Sequence, residues 1–430
     1  MSEHFCFIGN QELNGIVRGR SVPTARRAVA LQGGLPWVPA NITIGALNTL
    51  PPDNPFGPIG EIRLLPIEEA SITLKKEGSP SYDITLCEFG QSDSTAWACC
   101  PRSALKAAVA DLNQETGLTL KVAFEHEFSV KGLNTLDHIA FSPSAGRIGA
   151  PLAERVLAIL NGAGFTLDQF VAEYGPGQYE IAGQPTDPVQ AADRTVLTLE
   201  AIRHAASDLG LQASFLPKPA LNQVGNGVHV HVSLWRDGKN VTVNGEWPDD
   251  AAGSFLDGLL KAAKPLTLLS NTSPNSYDRY KPQSWVGTYI CAGLRNREAM
   301  VRIVPRQPDA AGKYPSASME FRTSDATANV YLMLTGLIRA GLGGIRQGLA
   351  APDSVDQDPA TFDDETREKM GLSHLPTALS ELLRDETFEA LSAWLGVELT
   401  TAYFSCRRND AKHADEIDFD EMARKLSTVY

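Results

Sequence analysis

Val224 to Leu234, with the sequence Val-Gly-Asn-Gly-Val-His-Val-His-Val-Ser-Leu, is the stretch from which the fold is inferred. His229, His231 and Ser233 occupy alternate positions, so on a β-strand they share one face while apolar residues fill the other. The Gly-Asn-Gly segment before them allows a sharp turn or a close approach of the backbone to a ligand. Neutral imidazoles bind divalent metals, and hydroxyls bind phosphate oxygens. This stretch alone is equally compatible with histidines that only hydrogen-bond their neighbours.

Length and composition restrict the class of protein. At 430 residues the chain exceeds the usual size of one hydrophobic core, and 43% hydrophobic with 21% charged residues is typical of soluble proteins. The net charge of −13 argues against a nucleic-acid-binding protein, which needs a basic face. No apolar run is long enough for a membrane span and no signal peptide is evident, so we expect a cytoplasmic protein. Six sparse cysteines without a C-x-x-C pair indicate free thiols.

The pattern along the chain predicts two domains with an α+β fold. Residues 1–101 contain short alternating segments separated by Pro- and Gly-rich loops, which predicts a small, mostly β domain. Residues 102–430 combine further strands with apolar helical segments and form the larger domain. Among the helices we expect one over 151–163 and another over 254–269.

Acidic residues recur on other predicted strands. Glu125 and Glu127 share a strand face, Glu173 and Glu180 flank a Gly-Pro-Gly turn, and Glu320 shares a face with an arginine. Glutamates are common on surface strands, and a single ion pair contributes little. Carboxylates that lie close together repel each other unless a cation or a proton is present. Oxygen ligands with an imidazole suit Mg²⁺ or Mn²⁺ better than Zn²⁺, so the combined pattern favours a site for such ions.

Four arginines lie in polar segments between and on these strands. They are Arg279, Arg297, Arg302 and Arg322. Guanidinium groups bind carboxylates and phosphates through two parallel hydrogen bonds. Metal ligands combined with arginines are the groups required for phosphoryl transfer to a carboxylate.

Six segments together resemble the glutamine synthetase family in order and spacing. They are residues 124–128, 173–180, 225–233, 275–279, 296–302 and 320–322. The resemblance extends from about residue 12 to the C-terminus. It implies a small N-terminal β-grasp domain, followed by a catalytic domain with a curved antiparallel sheet and flanking helices. It also implies a homo-oligomer, a dodecamer of two hexameric rings with active sites between subunits.

The resemblance further implies an ATP-dependent ligase. Glutamate would attack the γ-phosphate of ATP to give γ-glutamyl phosphate, and an amine would then displace phosphate. The implied metal ligands for Mg²⁺ or Mn²⁺ are Glu127, Glu173 and Glu180 for one ion and Glu125, His229 and Glu320 for a second. The implied glutamate contacts are Arg279, Arg322 and Gly225; Arg297 and Arg302 would stabilise phosphate, and His231 and Ser233 would contact ATP.

One departure from the family pattern concerns the amine. Members that use ammonia carry a glutamate after the Asn-Ser-Tyr-x-Arg motif, and Trp285 occupies that place here. A carboxylate stabilises ammonium, whereas an indole offers an apolar wall or a cation–π face to an alkylammonium ion. Trp285 is therefore a candidate catalytic and substrate-binding residue, together with Arg279, Arg297 and Arg322. The pattern favours the γ-glutamyl-amide branch, such as γ-glutamylmethylamide and γ-glutamylpolyamine synthetases, with a small primary amine as substrate.

Two alternatives stay open. The chain is also compatible with a glutamine synthetase that uses ammonia, because a fold does not determine the substrate. A non-catalytic scaffold or nitrogen-sensing member is a second alternative. All six expected metal ligands are present in the sequence, which argues against a degenerate site.

Overall fold

The histidine-bearing strand lies within a nine-stranded sheet in the computed structural model, which describes residues 4–75, 81–93, 95–312 and 315–430. The strands are β1 (Phe5–Gln11), β2 (Val17–Pro23), β3 (Leu35–Trp37), β4 (Ile62–Leu74), β5 (Tyr82–Gly90), β6 (Thr119–Lys131), β7 (Leu167–Ala172), β8 (Gln178–Gly183), β9 (Gln212–Ser214), β10 (Val228–Arg236), β11 (Lys239–Asn240), β12 (Tyr289–Leu294), β13 (Ala299–Val304) and β14 (Ser318–Ser324). The helices are α1 (Arg27–Gly33), α2 (Pro101–Thr116), α3 (Pro143–Gly162), α4 (Pro188–Asp208), α5 (Asp250–Lys261), α6 (Ala263–Ser270), α7 (Val330–Gln347), α8 (Asp364–Lys369), α9 (Leu379–Leu382), α10 (Asp385–Leu395), α11 (Val397–Glu416) and α12 (Phe419–Leu426).

The N-terminal segment forms a separate five-stranded sheet in the order β2-β1-β5-β4-β3. Strands β1 and β5 run parallel, and the other neighbours run antiparallel. Ile8, Ile72 and Leu86 are buried within it. Helix α2 begins at Pro101, close to the predicted end of this domain, of which residues 1–3, 76–80 and 94 lie outside the described residues.

The large sheet has the strand order β12-β13-β14-β10-β6-β8-β7, with β11 paired to β10 and β9 paired to β6. Its neighbours are antiparallel except for β12 and β13, which run parallel. Along β10 the valines at 228, 230 and 232 are buried, as are Phe124 and Phe128 on β6. These residues form the back of the sheet, so the polar residues between them face the other side.

Helices pack against the apolar back of the large sheet. Helix α4 packs on β6, and α7 packs on α2, α4 and α5. Nearly all of α7 is buried, because apolar residues cover every side of its first three turns. Together with the two sheets, this arrangement confirms the predicted α+β architecture.

Several helix boundaries differ from the sequence prediction. The helix expected over 151–163 begins at Pro143, because Ser142 caps it by accepting a hydrogen bond from the amide of Ala145. Pro151 therefore lies inside α3 rather than at its start. The helix expected over 254–269 is divided into α5 and α6 at Ala262. Helix α11 was not predicted, because its buried face includes the polar Thr400, Arg407 and Asn409.

The thiols are free, as expected from the cysteine pattern. All six cysteines are free and buried. Within the described ranges, no helix combines the length and the apolar character that a bilayer crossing requires.

Glycine allows the backbones of α5 and α7 to approach each other closely. A Cβ atom at Gly344 would lie 2.0 Å from the carbonyl oxygen of Ser254 and 2.9 Å from the Cα of Gly258. At Gly343, the next residue, the nearest atom would be 4.0 Å away. The helix contact thus requires glycine at position 344 but not at position 343.

We expect Gly344→Ala to lower the free energy of unfolding by about 1–3 kcal/mol, because the methyl group would push α5 away. Gly343→Ala is the matched control, and we expect it to raise stability by about 0.5–1 kcal/mol because alanine favours the helix. Thermal unfolding followed by circular dichroism would compare the two midpoints. Equal midpoints would contradict the close helix contact.

Candidate active site

Strand register brings the acidic residues and the histidines to one face of the large sheet. His229 lies opposite Glu125 across β10 and β6, and His231 lies opposite Glu320 across β10 and β14. Glu127 lies opposite Glu180 across β6 and β8. Directly paired residues on antiparallel strands project to the same face, within about 5 Å at Cβ. Four adjacent strands therefore carry one continuous cluster.

The two imidazoles bind the carboxylates of this cluster. His229 Nδ1 lies 3.3 Å from Glu125 Oε2 and 3.6 Å from Glu320 Oε1. His231 Nε2 lies 3.1 Å from Glu125 Oε1, and its Nδ1 is hydrogen-bonded to Ser318 Oγ at 3.0 Å. Glu125 thus contacts both histidines.

The remaining acidic pair comes from the β7–β8 hairpin. The amide of Glu173 donates to the carbonyl of Gln178 at 2.9 Å, and Gly177 takes a left-handed conformation with φ of 72°. The carbonyl of Glu173 also lies 2.9 Å from His138 Nε2. These bonds fix the turn, so that Glu173, before the turn, and Glu180, after it, both reach the cluster.

Crowding of the carboxyl groups shifts their pKa values in opposite directions. Burial, followed by repulsion from Glu127, raises the pKa of Glu173 to about 7. Burial and repulsion from four neighbouring glutamates raise the pKa of Glu180 to about 9. Burial opposes ionisation of Glu320 too, but Arg322 and His229 outweigh it and lower the pKa of Glu320 to about 2. Hydrogen bonds from both histidines likewise outweigh burial and lower the pKa of Glu125.

Two groups of donor atoms fit divalent cations. Ligand atoms of Glu125, Glu180 and His229 lie within 4.8 Å of one another, as do those of Glu125, His231 and Glu320. Carboxylate oxygens with one imidazole are donors that suit Mg²⁺ or Mn²⁺. Glu127 and Glu173 belong to neither group, and Glu127 Oε2 accepts a hydrogen bond from the amide of Gly227 at 2.7 Å. The predicted division of six ligands between two ions stays a prediction.

Two of the four predicted arginines bind Glu320. Arg302 Nη1 lies 2.9 Å from Glu320 Oε2, and Arg322 Nη1 binds the other oxygen. Arg322 also donates to the carbonyls of Arg297 at 3.1 Å and of Trp285 at 2.8 Å. The side chain of Arg297 is exposed, so it is available to a ligand.

Arg279 lies behind the glycine loop in a buried position. Its Nη2 donates to Asn271 Oδ1 at 2.9 Å and lies 3.3 Å from Asp325 Oδ2. Its Nε has no hydrogen-bond partner within the described residues. A Cβ atom on Gly225 would lie 2.9 Å from Arg279 Cδ, so the loop follows this arginine too closely for a larger residue.

The hydrogen bonds of Ser233 and Trp285 engage residues other than the carboxylates of the acidic cluster. Ser233 accepts a hydrogen bond from Trp235 Nε1 at 2.9 Å and donates to the carbonyl of Lys121 at 3.3 Å. Its hydroxyl is thus already engaged by the protein. Trp285 is half-exposed, with φ of 60°, and its carbonyl binds Arg322. Their predicted contacts with ATP and with the amine stay predictions.

Several residues that support the site were not predicted from the sequence. Asp325 pairs with Arg279, and Gln178 Nε2 donates to the carbonyl of Gly225 at 2.8 Å. Glu298 accepts hydrogen bonds from the amides of Gln283 and Trp285. Each lies within three residues of a predicted site residue in the sequence, and this proximity is the signal that could have indicated them.

Two family profiles match consecutive parts of the chain. The family profile described as the glutamine synthetase N-terminal domain matches residues 4–97, and that of the glutamine synthetase catalytic domain matches residues 98–423. A gamma-glutamylpolyamine synthetase of Streptomyces coelicolor is 31% identical over 430 residues, covering 97% of this chain and 91% of the relative. Type-1 glutamine synthetase 1 of Dictyostelium discoideum is 32% identical, covering 86% of this chain and 78% of the relative.

Solved structures share the fold over the whole chain. A glutamine synthase homologue superposes with a TM-score of 0.88 at 32% identity, covering 100% of this chain and 99% of that chain. The ADP complex of GmaS superposes with a TM-score of 0.82 at 24% identity, covering 98% and 96% of the two chains, and this likeness concerns the fold alone.

We expect cation binding to release protons, because Glu173 and Glu180 must ionise before they can act as ligands. The affinity for Mg²⁺ should rise with pH, and log K should increase by about 2 per pH unit below pH 7 and about 1 between pH 7 and 8.5. The sign follows from the raised pKa values, since raising the pH removes the competing protons. Isothermal titration calorimetry in buffers of different ionisation enthalpy would count the released protons.

The matched variant for this titration is Glu180→Gln, which carries no proton to release. For this variant we expect the slope of log K for Mg²⁺ against pH to be lower by about 1 than in the unmodified protein. An affinity that does not depend on pH would contradict the raised pKa values.

Proposed function

The chain belongs to the glutamine synthetase family of ligases, and from this premise we propose that it joins the γ-carboxylate of glutamate to an organic amine with hydrolysis of ATP to ADP. The observation that carries the proposal is the contact chain from Glu320 through Arg322 to Trp285. The backbone carbonyl of residue 285 is thereby tied to Arg322, and this position carries an indole where the family pattern of members that use ammonia has a carboxylate. The similarity to a relative named gamma-glutamylpolyamine synthetase is consistent with an amine substrate.

The proposed reaction has two steps. An oxygen of the glutamate γ-carboxylate attacks the γ-phosphorus of ATP, a P–O bond forms, and the bond to ADP breaks. The bound alkylammonium ion loses a proton to give the free amine, whose nitrogen attacks the acyl carbon with its lone pair. The C–O bond to phosphate breaks, and the nitrogen loses a second proton. The products are the γ-glutamyl amide, ADP and inorganic phosphate.

The acidic cluster and the arginines provide the charges that this reaction needs. Divalent ions held by Glu125, Glu127, Glu173, Glu180, His229 and Glu320 would neutralise the phosphates and orient the reacting groups. Arg302 and the exposed Arg297 would bind phosphate oxygens, and Arg279 would bind glutamate through its Nε, which has no hydrogen-bond partner within the described residues. His231, which contacts Glu125 and Ser318, would contact ATP at the edge of the cluster.

Two other interpretations are weighed against this one. Ammonia as substrate would require an acidic residue at the amine position, and the side chain at 285 is an indole. A scaffold without catalysis does not explain the retained cluster, because carboxylates that bind no cation destabilise the fold by mutual repulsion. As family properties we further propose a homo-oligomer with active sites between subunits, a dodecamer of two rings, and a cytoplasmic location.

We expect an organic amine to exceed ammonium in kcat/KM by at least about tenfold, since an indole stabilises an alkylammonium ion and cannot accept a hydrogen bond from ammonium. The measurement is ADP release in the presence of glutamate and Mg²⁺ or Mn²⁺, with ammonium, methylamine, ethanolamine, putrescine and benzylamine compared. Omission of glutamate is the control. A preference for ammonium would identify a glutamine synthetase instead.

We expect Glu127→Ala to lower ADP release about 100-fold, because it removes one cation ligand. The fold should persist, since the substitution also removes a repulsive charge. Glu61→Ala, at an exposed position in the N-terminal segment, is the control and should retain activity. Unchanged activity in Glu127→Ala would refute the role of this residue, and an unmodified protein inactive with every amine would support the scaffold.

A further inference from the structure

Three half-exposed aromatic side chains form a continuous group that we call the aromatic rim: Phe141, Tyr174 and Trp285. The rings of Phe141 and Tyr174 lie 4.9 Å apart at 89°, and those of Tyr174 and Trp285 lie 5.4 Å apart at 82°. Their exposed fractions are 53%, 52% and 49%. Rings that meet at right angles present both a face and an edge to the space beside them.

The aromatic rim lies beside the acidic cluster. Tyr174 directly follows Glu173 in the β7–β8 turn. Trp285 is joined to the cluster through its carbonyl, which binds Arg322, and Arg322 binds Glu320. The rim therefore borders the carboxylates on the side formed by the hairpin turn and the loop before β12.

A buried carboxylate fixes the position of Trp285. Glu298 is 6% exposed, and its two oxygens accept hydrogen bonds from the amides of Trp285 at 2.7 Å and Gln283 at 3.2 Å. Gln283 and Trp285 both have φ of 60°, a backbone conformation that residues other than glycine adopt at an energetic cost. The loop thus needs Glu298 to hold a backbone that its own residues disfavour.

We propose that the aromatic rim binds the substituent of the amine and selects primary monoamines that carry a short alkyl chain or one aromatic ring. The inference rests on the proposed function, and it adds the residues and the chemical class of the substrate. A hydrocarbon substituent gains by burial against three half-exposed rings. The ammonium group that carries this substituent is attracted by the ring faces when it lies within about 6 Å of a ring centroid.

The chemistry of the rim disfavours two competing amines. Ammonium is attracted by the ring faces but has no hydrocarbon to bury, so it gains less from the exposed ring surface than an alkylammonium ion does. A diamine would bring a second charged group to this surface, and Glu298, the carboxylate of the loop, is buried and directed at two amides. The ring faces compensate only part of the hydration that a second ammonium group loses against them.

Glu298 acts in this proposal as a positioning residue. It does not face the rim, and it acts on the amine through the backbone of Trp285. Replacement by alanine would free two amides and release the strained turn, so the indole would leave its place against Tyr174. Its loss should therefore change amine selection without removing any ring.

The test compares n-butylamine with putrescine, which have the same four carbons and differ by one ammonium group, together with ammonium. In the unmodified protein we expect the order n-butylamine, putrescine, ammonium in kcat/KM from ADP release. In Tyr174→Ala and Trp285→Ala the ratio of n-butylamine to ammonium should fall about tenfold, because ring contacts are lost. Trp285→Phe retains a ring and should restore most of the ratio.

Tyr82→Ala is the matched control, since Tyr82 is an aromatic residue of the N-terminal sheet with 37% exposure. It should leave the ratio unchanged. Glu298→Ala should lower the ratio as Trp285→Ala does, while Glu298→Gln, which retains one acceptor oxygen, should lower it less. A change in the fluorescence of Glu298→Ala that is absent in the double variant with Trp285→Phe would show that the indole has moved.

The two proposals fail in different ways. If no amine supports ADP release, the ligase function fails, and the amine subsite fails with it. If amines support ADP release but the rim variants leave the ratio unchanged, or putrescine exceeds n-butylamine, only the assignment of the rim and its substrate class is overturned. A fall in the ratio confined to the rim and Glu298 variants supports it.

Discussion

Repulsion among five buried or half-buried carboxylates is the constraint on which the rest of this structure depends. Strand register places Glu127 beside Glu180 and Glu125 beside His229. No exposed loop could hold such charges together, because they would separate in water. The antiparallel sheet holds them because its hydrogen bonds and its apolar back fix each strand independently of what the front face carries.

Partial compensation within the protein makes the cluster tolerable and leaves it receptive to cations. Arg302 and Arg322 neutralise Glu320, and the histidines bind Glu125. Among the described residues, Glu173 and Glu180 form no ion pair with an arginine or a histidine, and their pKa values rise to about 7 and about 9. The cluster therefore has a compensated side and a side where protons occupy the place of cations. A site in which every carboxylate was paired with a cationic side chain would bind metal weakly, because the metal ion would relieve no repulsion.

The faces of the strands could be predicted from the sequence, and their register could not. Alternation in residues 228–234 and 124–128 indicates which residues share a face, since the side-chain period of a strand is two. The pairing of His229 with Glu125 depends on residues far apart in the chain, which no local pattern determines. The start of α3 was misplaced because two Pro residues, at 143 and 151, could each begin a helix. Glu298 could not be predicted either, because its role depends on hydrogen bonds to loop amides that a sequence pattern does not reveal.

Arg322 connects the part of the site that is held by strands to the part that is held by a loop. One of its nitrogens binds Glu320 in the rigid sheet, and another binds the carbonyl of Trp285. Any movement of Glu320 that follows cation binding would act on Arg322 and hence on the loop, because both contacts use the same planar guanidinium group. Glu298 accepts a hydrogen bond from the amide of Trp285, so both the N–H and the carbonyl of this residue are bound. On the proposed function, the chemistry common to ligases of this kind would be fixed by the sheet, and the discrimination between amines would fall to a short segment that can change in sequence without disturbing the strands.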